Sequence, residues 1–308
     1  MAEKFGIITD THYDYKYESR KDDTLQSLID KTEQCYKWFK EQGCSFVVHC
    51  GDVFDRHIIY NYSMLSKVRN VLKNSGLKTY VIFGQHDAQG YNRKTFEKSN
   101  LGFITSVSDG SIVFIDNRLE TQDFVFYASH VDEDVVDKVN HIKKENKPVI
   151  ALAHALLTDK REAFGTISIN HIKNPNIQMV LSGDLHDGVP FQKVNNIQFY
   201  NPGALARTEK GYRNPKVGVF SWNGNEFEIE EFFPKCAANE DIFFWEEENI
   251  KTASVKVDES VNFINSFMEF SGEKPQNAFE LLLKLADQNN VDEEVKELIK
   301  IYKDKYVF

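Results

Sequence analysis

The sequence predicts an α/β layered fold. Three observations carry it: short apolar runs alternate with segments of helical period, turn residues punctuate nearly every transition, and successive strand ends carry Asp, His or an amide side chain. At about 150 residues per domain, 308 residues suit one large or two unequal domains.

The opening run Phe5 to Thr9 is strand-like and ends in Asp10. From Asp22 to Gln42 the residues Leu25, Leu28, Ile29, Tyr36 and Phe39 recur at helical spacing, with Asp22 or Asp23 as N-cap and Gly43 as the stop. Phe46 to Cys50 reads as the second strand, Tyr62 to Asn74 as the second helix and Lys78 to Phe83 as the third strand. Two strand–helix–strand units in succession require parallel strands. Ile112 to Ile115 and Asp123 to Ala128 then read as a pair of strands, and Asp132 to Lys144 as a helix stopped by Lys147-Pro148. Strands are expected at Val149 to Ala153, Met179 to Ser182, Ile197 to Tyr200, Val217 to Trp222 and Phe227 to Phe232, the last two joined by Asn223-Gly224, a hairpin signal. Helices are expected at Val257 to Phe270, Ala278 to Ala286 and from Asp292 through Ile301.

The chain carries 37 Lys+Arg against 47 Asp+Glu, a formal net charge of −10, which argues against holding nucleic acid by bulk electrostatics. The charge is uneven. Residues 236–308 hold 16 acids and 8 bases, a net of −8, leaving −2 for the first 235 residues, so a boundary is expected near residue 235. The four cysteines form no CxxC pair and the N-terminus does not read as a signal peptide, which suits reduced thiols in the cytoplasm. Apolar runs fall far short of the roughly 20 residues of a membrane span.

Five clusters of metal-capable residues follow strand ends: Asp10 with His12, Asp52 with Asp55, Gln85-His86-Asp87, His154, and Asp184 with His186. Carboxyl ends of parallel strands are where sites assemble, so the five are expected to converge. Singly, Asp-x-His is more often a cap and a turn residue, and a lone His more often a core residue. The ordered series Asp-x-His, Gly-Asp-x-x-Asp, Gly-Gln-His-Asp, a lone His after an apolar run, Gly-Asp-x-His and Asn-Pro-Gly is far more specific.

That series resembles the calcineurin-like metallophosphoesterases, whose pattern is D-x-H, G-D-x-x-D, G-N-H-[DE], a lone H and G-H-x-H, over about residues 4 to 222. The run from Gly51 to His57 (GDVFDRH) looks most like the SbcD-type DNA repair exonucleases, including phage relatives. The resemblance implies a layered β-sandwich core flanked by helices over residues 1–235, and a smaller α-rich or α+β accessory region over 236–308, capping and partner-binding. It implies two divalent ions, with Mn²⁺ the first choice and Mg²⁺, Fe²⁺ or Zn²⁺ the alternatives. Asp10, His12, Asp52 and His186 would hold one ion, and Asp52, Gln85, His154 and Asp184 the other. His86 would protonate the leaving oxygen and Asp87 would orient its ring. Expected partners are DNA ends or single strands and an SbcC-type coiled-coil ATPase, with a homodimer admitted and no membrane.

Two residues depart from the family pattern: Gln85 stands for Asn and Asp184 for the first His of G-H-x-H. Both keep an oxygen donor, and Asp favours Mn²⁺ or Mg²⁺. The opposed reading is a second site too degraded for catalysis, in a subunit that binds DNA ends or the ATPase; a third is a small-molecule phosphodiesterase. Arg56 and His57 are substrate-binding candidates, or a solvated loop. Arg207, with Lys210 and Arg213, forms either a phosphate-contacting rim or a plain basic turn. Tyr13, Tyr15 and Tyr17 offer stacking surfaces or ordinary packing. His49 reads as core, His141 as the polar face of a helix, and His130 as a strand-end residue within reach of the site.

Overall fold

The computed structural model describes residues 3–59, 61–87, 89–160, 165–208 and 214–244. In chain order the elements are β1 (Lys4–Ile8), α1 (Thr24–Glu41), β2 (Phe46–His49), α2 (Tyr62–Asn74), β3 (Lys78–Val81), α3 (Asn100–Ser106), β4 (Ile112–Phe114), β5 (Arg118–Glu120), β6 (Val125–Ser129) and α4 (Val135–Asn140). They continue with β7 (Val149–Ala155), β8 (Leu157–Thr158), β9 (Ile167–Ser168), β10 (Met179–Asp184), β11 (Val189–Val194), β12 (Ile197–Asn201), β13 (Val217–Trp222), β14 (Phe227–Phe232) and α5 (Asn239–Ile242).

Two six-stranded mixed sheets form the core, ordered β14-β13-β1-β2-β3-β4 and β11-β12-β10-β7-β6-β5. In each, four strands run parallel and antiparallel strands lie outside them. Between the sheets sits an apolar layer rich in phenylalanine. Phe5 places its ring 5.4–5.6 Å from Phe46, Phe124, Phe126 and Phe220, within the range of favourable aromatic pairs. The outer face of the first sheet packs on α1, α2 and α3, and that of the second on α4 and the segment around Ile169–Ile172. The result is the layered sandwich flanked by helices.

Local chemistry accounts for the helix ends. Asp23 caps α1, its side chain accepting from Gln26 N, and Gly43 follows at φ +77. The helix expected over Asp132 to Lys144 is shorter. Asp134 caps it, and beyond Asn140 the Asn174 amide donates to the Val139 and Ile142 carbonyls, replacing further helical bonds. The runs at Ile112 and Asp123 do not pair with each other. The first is β4, parallel to β3, and the second leads into β6 of the other sheet, paired with β5 and β7. β11 gives little strand signal because Pro190, Gln192 and Lys193 break its apolar run, and neither α3 nor the 3-10 turn Arg93–Lys98 sustains an apolar period.

The first compact unit runs through Phe243. Residues past 235 stay with it: Lys21 N donates to Ile242 O at 2.9 Å, and Arg20 bridges to Phe243. The helices expected at 257–270, 278–286 and 292–301 lie outside the described residues. No helix among the described residues is long and apolar enough to cross a membrane.

Candidate metal centre

β1, β2, β3, β7 and β10 all deliver their C-terminal ends to one place at the junction of the two sheets. Beyond β1 and β2 the chain stays paired: Asp10 N, His12 N and Tyr13 N donate to the carbonyls of Gly51, Asp52 and Val53. Holding Asp10, His12, Asp52 and Asp184 inward requires left-handed backbone, with φ of +48°, +41°, +52° and +75°. Such strain in non-glycine residues persists only where the surroundings over-determine it. Two glycines allow the crowding. A Cβ on Gly51 (φ +94) would lie 2.4 Å from His154 Nδ1, and one on Gly84 would lie 2.2 Å from Asp52 Oδ1.

His12, Asp10 and His186 form one group. His12 Nε2 lies 3.1 Å from His186 Nε2, and Asp10 Oδ1 is 3.7 and 3.8 Å from those nitrogens. Burial works against the His12 imidazolium, but Asp55, Asp52 and Asp10 outweigh it and raise its pKa to about 9. Burial and then His12 push His186 down to about 4. Burial raises Asp10 to about 6 against the pull of His154 and His12.

The second group is Asp52, His154, Gln85 and Asp184. His154 Nε2 stands 3.3 Å from Asp52 Oδ2, 4.0 Å from Asp184 Oδ1 and 3.0 Å from Gln85 Oε1. Its Nδ1–H donates to the Cys50 carbonyl at 2.7 Å, which turns Nε2 toward the cluster. Burial favours neutral Asp52, yet His154, His12 and His86 hold its carboxyl well below the usual range. Asp52 Oδ1 accepts from His86 N at 2.8 Å, whereas Oδ2 is buried with no hydrogen-bond partner.

These donors fit divalent cations. An orphaned buried carboxylate oxygen sits between two histidine-bearing groups, and two Nε2 atoms 3.1 Å apart are spaced like ligands about 2.1 Å from one ion. Asp10, His12 and His186, and Asp10, Asp52 and His154, form compact metal-capable groups; His12, Asp55 and His86 form a third.

The surroundings correct two expectations. Asp87 does not reach the His86 ring. Its carboxylate, fully buried, accepts from Asp52 N (2.9 Å), Gly84 N (3.0 Å), Val53 N (3.1 Å) and Phe54 N (3.4 Å). It therefore shapes the Asp52 turn. The ring is held by the Asp55 carbonyl, 2.6 Å from His86 Nδ1. Arg207 is not an exposed rim residue either. It is buried, donating to Asn239 Oδ1 (2.8 Å) and the Ala237 carbonyl (2.5 Å), because the chain after β14 folds over it. Lys210 and Arg213 lie outside the described residues.

Arg56 is half exposed, with two nitrogens on Asp14 at 2.8 and 2.9 Å and its guanidinium 5.2 Å from the Tyr15 ring. Tyr15 is the tyrosine of the three that stays exposed; Tyr13 is buried against Thr32 and Tyr17 donates to the His12 carbonyl. His57 is partly buried, its carbonyl accepting from Asn100 N. His49 is core, 3.0 Å from Thr11 Oγ1 and pushed down to about 3 by burial. His130 is structural, accepting from Phe83 N and donating to the Asp116 carbonyl. His141 is exposed at the end of α4.

Sequence reasoning missed three positioning groups. Asp55 was visible in Gly-Asp-x-x-Asp but had no assigned part; it lies 3.4 Å from His12 Nδ1. Asn201, in Asn-Pro-Gly, accepts from Gly203 N (2.7 Å) and donates toward the Leu185 and Gly183 carbonyls (3.2 and 3.4 Å). The strap after it ties to Asp10 and His186: Ala204 N donates to His186 O, Leu205 N to Thr9 O and Ala206 N to Asp10 O. Buried Lys31 holds the same strap through the Leu205 carbonyl at 2.8 Å. No local spacing signalled it.

Asp and His side chains gathered at the strand ends of a two-sheet sandwich form a candidate metal centre. The family model described as calcineurin-like phosphoesterase matches residues 3–188, and the chain belongs to this family. Solved structures agree on the fold. TT1561 of Thermus thermophilus superposes with a TM-score of 0.50 at 11% identity, covering 75% of this chain and 99% of that one. A dimetal phosphatase from Danio rerio gives 0.52 at 11%, covering 80% and 99%. A purple acid phosphatase from yellow lupin seeds gives 0.50 at 11%, covering 79% of this chain and 53% of the other. No curated protein matches the chain in sequence.

Proposed function

We propose that this metal-dependent phosphoesterase is a two-metal phosphodiesterase acting on DNA, a nuclease of SbcD type in end processing and repair. The observation that carries the metal reading is the orphaned Asp52 Oδ2 between His154 and His12. Asp10, His12 and His186 would hold one ion and His154, Gln85 and Asp184 the other, with Asp52 offered to both. Bound there, two divalent ions, Mn²⁺ by preference, supply an activated water and neutralise charge on the phosphoryl oxygens. Asp87 fixes the turn that presents Asp52. The Asp55 carbonyl accepts from His86 Nδ1–H, so Nε2–H of the doubly protonated ring is the donor that would deliver a proton to the leaving sugar oxygen. Arg56 and Tyr15 line the approach, one suited to a phosphate and the other to a base face; His57 stands beside them.

DNA as substrate is favoured by the run Gly51–His57 and by the charge division, since −8 of the −10 lies beyond residue 235. That acidic region is suited to a basic surface of a coiled-coil ATPase in the cytoplasm. The test is cleavage of linear and hairpin DNA with Mn²⁺ by wild type, His86→Ala and Asp184→Ala, with and without the ATPase. Wild type is expected to cut and both variants to lose at least about 100-fold. Intact DNA under all conditions would refute the nuclease reading, and cleavage of small phosphodiesters alone would replace it with a small-molecule activity.

A further inference from the structure

The two residues that set this site apart touch each other. Gln85 Nε2 donates to Asp184 Oδ1 at 2.6 Å, and the same carboxamide turns Oε1 to His154 Nε2 at 3.0 Å. The carboxylate fixes the amide's orientation, since exchanging its oxygen and nitrogen would aim an oxygen at Asp184 Oδ1. We propose that Gln85 and Asp184 act as one coupled unit that makes the second metal position harder than the first, so that it favours Mn²⁺ or Mg²⁺ relative to Zn²⁺. This rests on the two-metal reading above.

The donor sets support it. The first position is offered oxygens of Asp10 and Asp52 and nitrogens of His12 and His186. The second is offered oxygens of Asp52, Asp184 and Gln85 and the single nitrogen of His154. Replacing one imidazole by a carboxylate oxygen lowers affinity for Zn²⁺ more than for Mn²⁺.

The coupling follows from reach. Asn at position 85 is shorter by one C–C bond, about 1.5 Å, which would take a 2.6 Å contact beyond hydrogen-bond range. A metal-bound imidazole at position 184 has no acceptor for the Gln85 amide, because its second nitrogen is protonated. Each single change therefore leaves the other residue without its partner, whereas the two together install the Asn and His of the family pattern, a combination that does not depend on that hydrogen bond. Asp184 N also donates to both carboxylate oxygens of Asp10, at 3.2 and 3.1 Å, so this unit is fixed to the first position as well.

The experiment uses the full chain stripped with chelator and titrated calorimetrically with MnCl₂ or ZnCl₂, with Mn²⁺ electron paramagnetic resonance reporting spin-coupled pairs. Wild type should take up two Mn²⁺. Gln85→Asn and Asp184→His should each weaken the second uptake about 10- to 100-fold for Mn²⁺. The double variant should recover two-ion binding with its Zn²⁺/Mn²⁺ affinity ratio at that step raised about 100-fold. Asp184→Asn keeps the acceptor for Gln85 at the same volume and should weaken only the second Mn²⁺, which guards against a folding defect. An unchanged ratio in the double variant, or single effects that simply add, would overturn the proposal. Failure of wild type to bind any ion would instead overturn the two-metal reading.

Discussion

Replacing Asp87 by Asn separates a positioning role from a catalytic one. Asp87 Oδ2 accepts from Asp52 N and Gly84 N, and Oδ1 from Val53 N and Phe54 N, all in a fully buried setting. Burial, with the nearby Asp52 carboxylate, pushes this carboxyl up to about 7 against the amides that favour its ionised form. Asn is isosteric but offers one oxygen, so its NH₂ must face two N–H donors. The weaker pair to lose is Val53 and Phe54, at 3.1 and 3.4 Å. Two buried amides without acceptors cost about 1–3 kcal/mol each, so a loss of about 4 kcal/mol is expected. For a domain of this size that lowers Tm by about 8–16 °C. Calorimetric unfolding together with Mn²⁺ titration measures both consequences, since the displaced turn carries Asp52. Were Asp87 instead the group that orients His86, activity would fall at wild-type Tm and wild-type Mn²⁺ affinity; that result would refute the reasoning.

Gly51→Ala forces a Cβ to 2.4 Å from His154 Nδ1 at φ +94, so it should lose about 3 kcal/mol of stability, read from urea unfolding; a wild-type midpoint would contradict the geometry. Asn201→Ala strips the acceptor of Gly203 N and the donor to the Leu185 carbonyl, and should cost about 2–4 kcal/mol while weakening metal uptake. Burial lowers the Lys31 ammonium to about 7 against about 10.4 in the unfolded chain. Between those values the unfolded state binds the extra proton, so this group's penalty is present below pH 7 and is relieved as pH rises. Stability should gain about 1.5 kcal/mol from pH 7 to 8.5, and Lys31→Met should remove that gain; an identical slope in the variant would show that Lys31 is not the source.

Much of the site was legible in one dimension. Asp10, His12, Asp52, His154, Asp184 and His186, which the fold brings together, stand out in sequence because a metal-capable side chain needs a particular donor atom and a place where a strand stops, and both conditions are local. The strands and main helices were legible for the same reason, since period, caps and glycine stops are written into neighbouring residues.

What tertiary structure decided is where side chains point across long sequence separations. Asp87 follows His86 directly, yet its carboxylate turns to four amides, three of them more than 30 residues away, and leaves the imidazole to the Asp55 carbonyl. Arg207 reads as a basic surface residue until residues 237–239 close over it. The runs at Ile112 and Asp123 look like partners in sequence and belong to different sheets, because strand pairing is set by which apolar face each sheet buries. Gln85 and Asp184, 99 residues apart, read as two independent departures and prove to be one hydrogen-bonded pair. Local residue type thus determined which atoms could bind a metal; only the packing of two sheets against each other determined which of them meet.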